Sequence, residues 1–201
     1  DETSLSVANC LVRLRGVTQG KDWPEAMRGD ERTLVIDQRG CVYVPHLAVA
    51  RPGTQVNFKN SDRADHNIRG SRNSFAETVF NFSNAPGTTT DSTESYLDRP
   101  GVYILKCDIH PWMSGHVVTV DTPYFDKTHA VLDPALGKAP GEAVLTDVPP
   151  GEYEVVMWHE GTVETVNGVV SVTYSPHFEE VRPVTVRAGE TTTVEIVFDP
   201  R

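Results

Sequence analysis

The sequence lacks both a surplus of basic residues and a long apolar run. It contains 18 Lys and Arg against 28 Asp and Glu, which gives a formal net charge of −10. A net negative charge argues against nucleic acid or an anionic membrane as the partner. No apolar run approaches the roughly 20 residues that a membrane helix requires, so we expect no membrane span.

The chain also has almost no segment with helical periodicity. Short runs rich in Val, Ile, Thr, Tyr and Phe instead recur between turn signals, a pattern that is typical of β-strands. About eight short strands up to residue 121, with the spacing of a Greek key, predict a β-sandwich. Residues 83–95 consist mainly of Ser, Thr, Asn, Gly, Ala and Pro and are predicted to form an exposed loop. The fold class is therefore all-β.

The net charge is distributed unevenly along the chain. Residues 1–120 carry 13 Lys and Arg against 14 Asp and Glu, whereas residues 121–201 carry 5 against 14. Thr122 to Asp126 includes a proline at the point where the charge changes, so we predict domains 1–121 and 122–201. Strands of the second domain are predicted at Ala143–Leu145, Gly151–Trp158, Val163–Tyr174, Val184–Arg187 and Thr192–Phe198.

Cysteine and methionine are scarce, with three of each, yet one short segment contains both. Cys107, His110 and Met113 offer a thiolate, an imidazole and a thioether with two-residue gaps. These soft and borderline donors favour copper over magnesium or calcium, and a trigonal copper site needs a second His. His66, 41 residues upstream of Cys107, is the candidate.

On these residues the sequence resembles the cupredoxins, or blue copper proteins. The Cys-x-x-His-Pro-x-Met loop is most similar to that of the amicyanin group. Residues 7–125 as a whole are similar to bacterial plastocyanin-like proteins that are sometimes labelled methylamine-utilization proteins. The segments that carry this wider likeness are Cys41 to His46, Asn60 to Asp62, His66 to Ile68, Cys107 to Met113 and Asp121 to Phe125.

The resemblance implies a Greek-key cupredoxin sandwich that holds one type 1 copper. The implied equatorial ligands are His66, Cys107 and His110, with Met113 as the axial ligand. Asn67 is expected to form a hydrogen bond across to the Cys loop, a role in which the amide orients a metal ligand. His46, His116 and His159 have no predicted role in the site. Met113 as a core residue and His66 as an exposed loop histidine remain the alternatives.

The second domain resembles the small sandwiches called carboxypeptidase regulatory-like, or prealbumin-like, domains. The likeness is carried by the run from Leu145 to Tyr153 and covers residues 122–201. It implies a smaller immunoglobulin-like or prealbumin-like β-sandwich and gives no indication of function. The acidic surface of this domain is interpreted as a solvated face rather than as a docking site.

If Cys107 binds metal, Cys10 and Cys41 remain as a possible disulfide pair. Closing a loop of about 30 residues would add roughly 3–4 kcal/mol to stability and would indicate an oxidising compartment. We therefore expect a periplasmic or secreted protein, with the polar residues Asp1 to Ser4 following a leader that has been removed. The alternative is that both thiols are simply small buried apolar groups.

The function predicted from these residues is one-electron transfer to an unidentified redox protein partner. Electrons would pass through a patch formed by His110, Pro111 and Trp112. A copper enzyme is not expected, because Cys107 is flanked by Lys106 and Asp108 rather than by the His residues of multicopper oxidases. Gly-x-Ser-x-Gly, His-Glu-x-x-His and His-x-His motifs do not occur. A copper-delivery protein, and an interaction or adhesion protein with a vestigial copper site, remain the alternatives.

Overall fold

The structure is a computed structural model. It describes residues 6–30, 32–73, 77–91, 97–130, 137–161, 163–166, 169–174 and 177–197. Fifteen strands account for the regular structure of these residues, together with one 3₁₀ turn at Glu25–Met27. No helix in these ranges is long and apolar enough to cross a membrane. The prediction of an all-β protein is confirmed.

The chain divides into two compact units. Residues 23–121 and 166–172 form the first, which we call the sandwich unit. Residues 1–22, 122–165 and 173–201 form the second, which we call the flanking unit. The change of unit after Asp121 coincides with the predicted domain boundary, whereas the first 22 residues group with the C-terminal part of the chain.

The sandwich unit contains a four-stranded and a five-stranded sheet. In the first sheet the order is β3-β2-β5-β8, and in the second it is β4-β10-β9-β6-β7. The pairs β2–β5 and β4–β10 are parallel and the remaining pairs are antiparallel. The strands are β2 Thr33–Gln38, β3 Tyr43–Val44, β4 Leu47–Ala50, β5 Gln55–Asn60, β6 His66–Arg72, β7 Thr78–Asn84, β8 Thr89–Asp91, β9 Gly101–Lys106 and β10 Ser114–Thr119.

One hydrophobic core joins the two sheets of the sandwich unit. Ile36 and Phe58 from the first sheet belong to the same buried cluster as Ile68, Tyr103 and Leu105 from the second. Phe58, Tyr103 and Leu105 alternate along their strands with more exposed residues, as expected of a sheet that buries one face. The core therefore lies between the sheets, and it includes Cys107 and Met113 at one end.

Gly70 allows the ring of Phe80 to pack directly against strand β6. A Cβ atom built at position 70 would lie 2.1 Å from the Phe80 ring. The register of β6 and β7 shifts between Gly70 and Ser71, and such an irregularity often accompanies a glycine inside a strand. The missing side chain thus leaves space for an aromatic residue of the core.

The flanking unit contains a four-stranded sheet of order β11-β1-β12-β15. Its strands are β1 Leu11–Arg15, β11 Phe125–Lys127, β12 Gly151–His159 and β15 Phe178–Val186. A separate two-stranded sheet pairs β13 Val163–Val166 with β14 Val169–Tyr174, and residues 166–172 of it group with the sandwich unit. Strand β1, predicted as the first strand of the copper domain, pairs instead with β11 and β12. The alternation of apolar residues identified a strand but could not identify its partner.

Not every predicted strand of the flanking unit is present. Residues 143–145 and 192–197 have no strand pairing, so these two predictions are wrong. Leu145 and Val194 pack instead against a core of Leu14, Tyr124 and Val155. The prealbumin-like topology stays a prediction.

Candidate metal centre

The segment from Cys107 to Met113 is a closed loop between two neighbouring strands. Strand β9 ends at Lys106 and strand β10 begins at Ser114, and these two residues face each other in the antiparallel register. Within the loop, the amide of Cys107 donates to the carbonyl oxygen of Met113 at 3.3 Å, and the amide of Met113 donates to that of His110 at 2.9 Å. These hydrogen bonds hold the two ends of the loop together.

His66 is the first residue of β6, the strand next to β9. The register pairs Arg69 with Lys106. Continued past the end of β9, this register brings His66 level with the loop that contains His110. The His66 side chain is almost completely buried, with 1% of its surface exposed. Strand pairing therefore explains how a residue 41 positions upstream of Cys107 joins the Cys loop.

Three of the predicted ligands converge. The Nδ1 atoms of His66 and His110 lie 3.0 Å apart, and the Sγ of Cys107 lies 3.7 Å from Nδ1 of His110. The three ligand atoms are all within 4.8 Å of one another. For metal bonds of about 2.0 Å to nitrogen and 2.3 Å to sulfur, a trigonal site needs donor separations of roughly 3.5–3.7 Å. The three donors thus fit one metal ion with small adjustments.

Met113 lies at the end of the same loop and is fully buried, with no exposed surface. It belongs to the core cluster that also includes Cys107. Its backbone is fixed on both sides by the hydrogen bonds with Cys107 and His110. Met113 therefore contributes a buried thioether to the core cluster that contains Cys107, while its role as an axial ligand stays a prediction.

A carboxylate determines which nitrogen of His66 is available to a metal. Nε2 of His66 lies 2.9 Å from Oδ2 of Asp62. A carboxylate only accepts, so Nε2 carries the proton and Nδ1 presents its lone pair to His110 and Cys107. Asp62 itself accepts from the amides of Gly40 at 2.6 Å and Cys41 at 2.9 Å.

The pKa of Asp62 reflects these contacts. Burial acts to raise the pKa, but the hydrogen bonds from the Cys41 and Gly40 amides and from His66 outweigh burial, so the pKa lies below its ordinary value. Sequence reasoning did not assign Asp62 a role. The available signal was a carboxylate four residues before the candidate ligand, in the loop between β5 and β6.

Asn67 connects strand β6 to the Cys loop. Its Oδ1 accepts from the amide of Asp108 at 2.5 Å, and its Nδ2 donates to the Asp108 carboxylate at 3.1 Å. Nδ2 also donates to Asn81 on β7 at 2.9 Å. The Asp108 carboxylate forms a further ion pair with Arg69 at 3.0 Å. Asn67 follows the predicted ligand His66, and Asp108 follows the predicted ligand Cys107. The hydrogen bonds between Asn67 and Asp108 thus hold strand β6 and the Cys loop together.

The remaining loop residues form an exposed apolar rim. His110 is half-buried, while Ile109 and Trp112 are 54% and 55% exposed. The rings of His110 and Trp112 lie 5.1 Å apart, with Pro111 exposed between them. His110 is therefore the predicted ligand that comes nearest to solvent through the loop.

His46, His116 and His159, which have no predicted role in the site, lie outside this donor set. His46 and His116 contact each other edge to face, with ring centroids 5.9 Å apart, and Nδ1 of His46 lies 3.1 Å from the carbonyl oxygen of Ser114. His159, at the end of β12 in the flanking unit, accepts a hydrogen bond from the amide of Gly161 at 3.1 Å.

The predicted disulfide between Cys10 and Cys41 is wrong, because both cysteines are free thiols. Cys10 is buried before β1 in the flanking unit, and burial raises the pKa of its thiol against the opposing hydrogen bond with Thr128. Cys41 lies in the turn between β2 and β3 of the sandwich unit. A disulfide needs Cα atoms within about 7 Å, and strand-like sequence around two cysteines does not determine that separation. The predicted periplasmic or secreted location thereby loses the support of a disulfide.

Comparison with known proteins gives similarity in structure only. No protein family profile and no curated protein sequence matches the chain. Similar solved structures include a copper-containing nitrite reductase from Thermus scotoductus SA-01, at 22% identity over 45% of this chain and 23% of that chain, with a TM-score of 0.38. A purple cupredoxin from Nitrosopumilus maritimus matches at 23% identity over 43% of this chain and 98% of its own, with a TM-score of 0.37. Auracyanin A, a blue copper protein from Chloroflexus aurantiacus, matches at 17% identity over 44% and 98%, with a TM-score of 0.38.

The sandwich unit is a β-sandwich of two mixed sheets with the candidate donor residues at one end of its core. The chain spans less than a quarter of the nitrite reductase that it resembles in part.

Proposed function

We propose that the protein is a one-electron carrier with a single type 1 copper. His66, Cys107 and His110 would be the equatorial ligands and Met113 the axial ligand. The observation that carries the proposal is the convergence of two imidazole Nδ1 atoms and one thiol sulfur within 4.8 Å, in a buried position. A copper ion held by such donors supplies one-electron exchange and a visible thiolate charge-transfer band.

The protein would contribute to electron transfer by holding the copper ligands in fixed positions. Asp62 holds the ring of His66, Asn67 holds the start of the Cys loop, and backbone hydrogen bonds hold its end. Ligands that are already fixed before the copper ion binds move little when the ion changes its oxidation state. Electron exchange then needs little reorganisation, which suits a carrier and gives no open position for a substrate. We therefore propose that the protein is not an enzyme.

The exposed rim of the loop is the proposed contact for a redox protein partner. His110 connects the buried donors to the surface, and the exposed residues Ile109 and Trp112 surround it. Contacts between redox proteins are commonly small and transient, below about 1,200 Å² in total. An apolar rim of a few residues beside the ligand meets that requirement.

The test is an optical titration of the full chain with Cu(II). We expect one copper per chain and an intense visible band, which Cys107→Ala should abolish because the band requires the thiolate. Cys10→Ala, which removes another buried thiol, should keep it. A band that persists in Cys107→Ala would refute the ligand assignment. Reversible voltammetry then separates an electron carrier from a copper-delivery protein, which would hold Cu(I) without cycling.

A further inference from the structure

The ring of His66 has a second group of potential metal ligands on its other edge. Cys41, Asp62 and His66 each offer a ligand atom, and these atoms all lie within 4.8 Å of one another. The nitrogen that faces this group is Nε2, which lies 2.9 Å from Oδ2 of Asp62. The group therefore differs from the proposed copper site in its thiol, in its carboxylate and in the edge of the imidazole that it uses.

The Asp62 carboxylate in this group is held in a fixed orientation. Its two oxygens accept hydrogen bonds from the successive amides of Gly40 and Cys41, at 2.6 and 2.9 Å. The amide of Asp62 donates in turn to Oδ1 of Asn60 at 2.9 Å. Successive amides of this kind form a concave site that binds an anion. The carboxylate is thereby anchored beside the Cys41 side chain, on the turn that carries it.

Cys41 occupies a backbone position that its residue type seldom adopts. The turn between β2 and β3 closes with a hydrogen bond from the amide of Arg39 to the carbonyl oxygen of Val42. Its central residues, Gly40 and Cys41, both have positive φ angles, 67° and 55°. Hairpin turns with this geometry favour Gly, Asn or Asp at both positions. A cysteine here therefore replaces residues that would form the turn more easily.

We propose that Cys41, Asp62 and Nε2 of His66 form a second cation site, for a borderline divalent ion of the zinc class. Thiolate, carboxylate and imidazole are the three ligand types that zinc accepts, and three protein ligands leave a fourth position open. Cys41 and Asp62 are only partly buried, so a water molecule can reach that position. The ion takes the place of the proton that Nε2 shares with Asp62. The proposal goes beyond the copper function: the two sites share the ring of His66 but use opposite nitrogens of it and different thiolates.

The test uses Co²⁺ as a spectroscopic probe in the full-length Cys107→Ala variant, which lacks the thiolate of the copper site. We expect one Co²⁺ per chain with a thiolate charge-transfer band in the near ultraviolet. Excess Zn²⁺ should bleach this band, because its filled d shell gives no such absorption. Adding Cys41→Asn should remove the band while the turn is preserved, since Asn tolerates positive φ. Adding Cys10→Ala instead should leave it unchanged.

Three results would overturn the second site: no thiolate band in Cys107→Ala, a band that survives Cys41→Asn, or a band lost with Cys10→Ala. Cys41→Gly gives the same comparison in a second background that suits the turn, and circular dichroism verifies folding. The copper proposal is tested separately, because Cys41→Asn alone should keep the visible Cu(II) band. If wild-type protein shows no copper colour while Cys107→Ala still gives the cobalt band, the copper function fails and the second site stands.

Discussion

The carboxylate of Asp62 holds one edge of the His66 imidazole. A substitution of Asp62 therefore tests how the proposed copper site depends on a residue that is not itself a proposed ligand. An asparagine at position 62 preserves the size and an accepting oxygen but removes the negative charge. Hydrogen bonds from carboxylates make ligand imidazoles more basic, and their loss typically lowers metal affinity by about 10- to 100-fold.

For Asp62→Asn we therefore expect weaker Cu(II) binding, by about 10- to 100-fold, and a higher reduction potential. The potential rises because losing a nearby negative charge destabilises the more positive oxidised ion. Competitive chelator titration and voltammetry measure the two effects. Asp65→Asn is the matched control, because it removes the same charge from an exposed residue of the same loop. Equal effects at both positions would show that net charge, rather than the contact with His66, is responsible.

The variant Met113→Leu tests whether Met113 is the axial copper ligand. Met113→Leu keeps the buried volume, so its cost in stability should remain below about 1.5 kcal/mol. If the thioether is the weak axial donor, its loss should leave a coloured site with a higher reduction potential, because Cu(II) loses a donor that tunes it. Voltammetry of Met113→Leu against Met157→Leu, a buried methionine of the flanking unit, measures this. An unchanged potential would make Met113 a core residue only.

At the scale of elements, the link between strand β6 and the Cys loop is one amide side chain. Asn67→Ala removes hydrogen bonds to Asp108 and Asn81 and leaves the partly buried amide of Asp108 without its acceptor. We expect a loss of about 1–3 kcal/mol in the free energy of unfolding, together with a broader visible band as the loop loosens. Chemical denaturation and the optical spectrum measure these changes.

The control for Asn67→Ala is Asn57→Ala on β5, whose Oδ1 has no hydrogen-bond partner among the described residues. It should cost less and leave the copper spectrum unaltered. If Asn57→Ala broadens the band as much as Asn67→Ala does, the link through Asp108 does not position the loop.

Strand identity was largely predictable from the sequence, but strand partnership was not. The alternation in Val102 to Lys106 indicated β9 because one face of it is buried. The three residues of β8 lie within a polar stretch that was predicted as loop, because pairing with β5, rather than composition, makes them a strand. Strand β1 shows the same limit, since residues 11–15 carry no signal for partners more than 100 positions away.

The predicted ligands could be proposed from the sequence because a metal site demands particular atoms, and three of the four lie within seven positions. Asp62 and Cys41 were not assigned to a site, because their roles depend on a turn that brings residues 40 and 41 beside residue 62. The same limit explains the failed disulfide, where the two cysteines shared a type of sequence but belong to different units.

At the scale of the whole molecule, the question is which surface meets the redox partner. The rim around His110 is apolar, whereas residues 121–201 carry 5 Lys and Arg against 14 Asp and Glu. If the rim is the contact, Trp112→Ala should slow electron self-exchange between oxidised and reduced copies, and the rate should change little with ionic strength. Nuclear magnetic resonance line broadening of mixed samples measures the rate.

Val197→Ala is the matched control for Trp112→Ala, because Val197 is also an exposed apolar residue, at 76%, but belongs to the flanking unit. It should leave the rate unchanged. A steep dependence on salt, with no effect of Trp112→Ala, would assign the contact to the acidic surface instead.

The pairing of β1 with β12 also has a consequence for biosynthesis. Leu11 and Leu14 are almost fully buried in the finished sheet, but strand β12 begins at Gly151, 136 positions after β1 ends at Arg15 (151 − 15). At about 5–20 residues per second, the ribosome needs roughly 7–27 s to reach β12. During that interval the edge of β1 that pairs with β12 has unpaired backbone groups, and such an edge is a template for other strands. Strand β1 can therefore complete its sheet only after β12 has been translated.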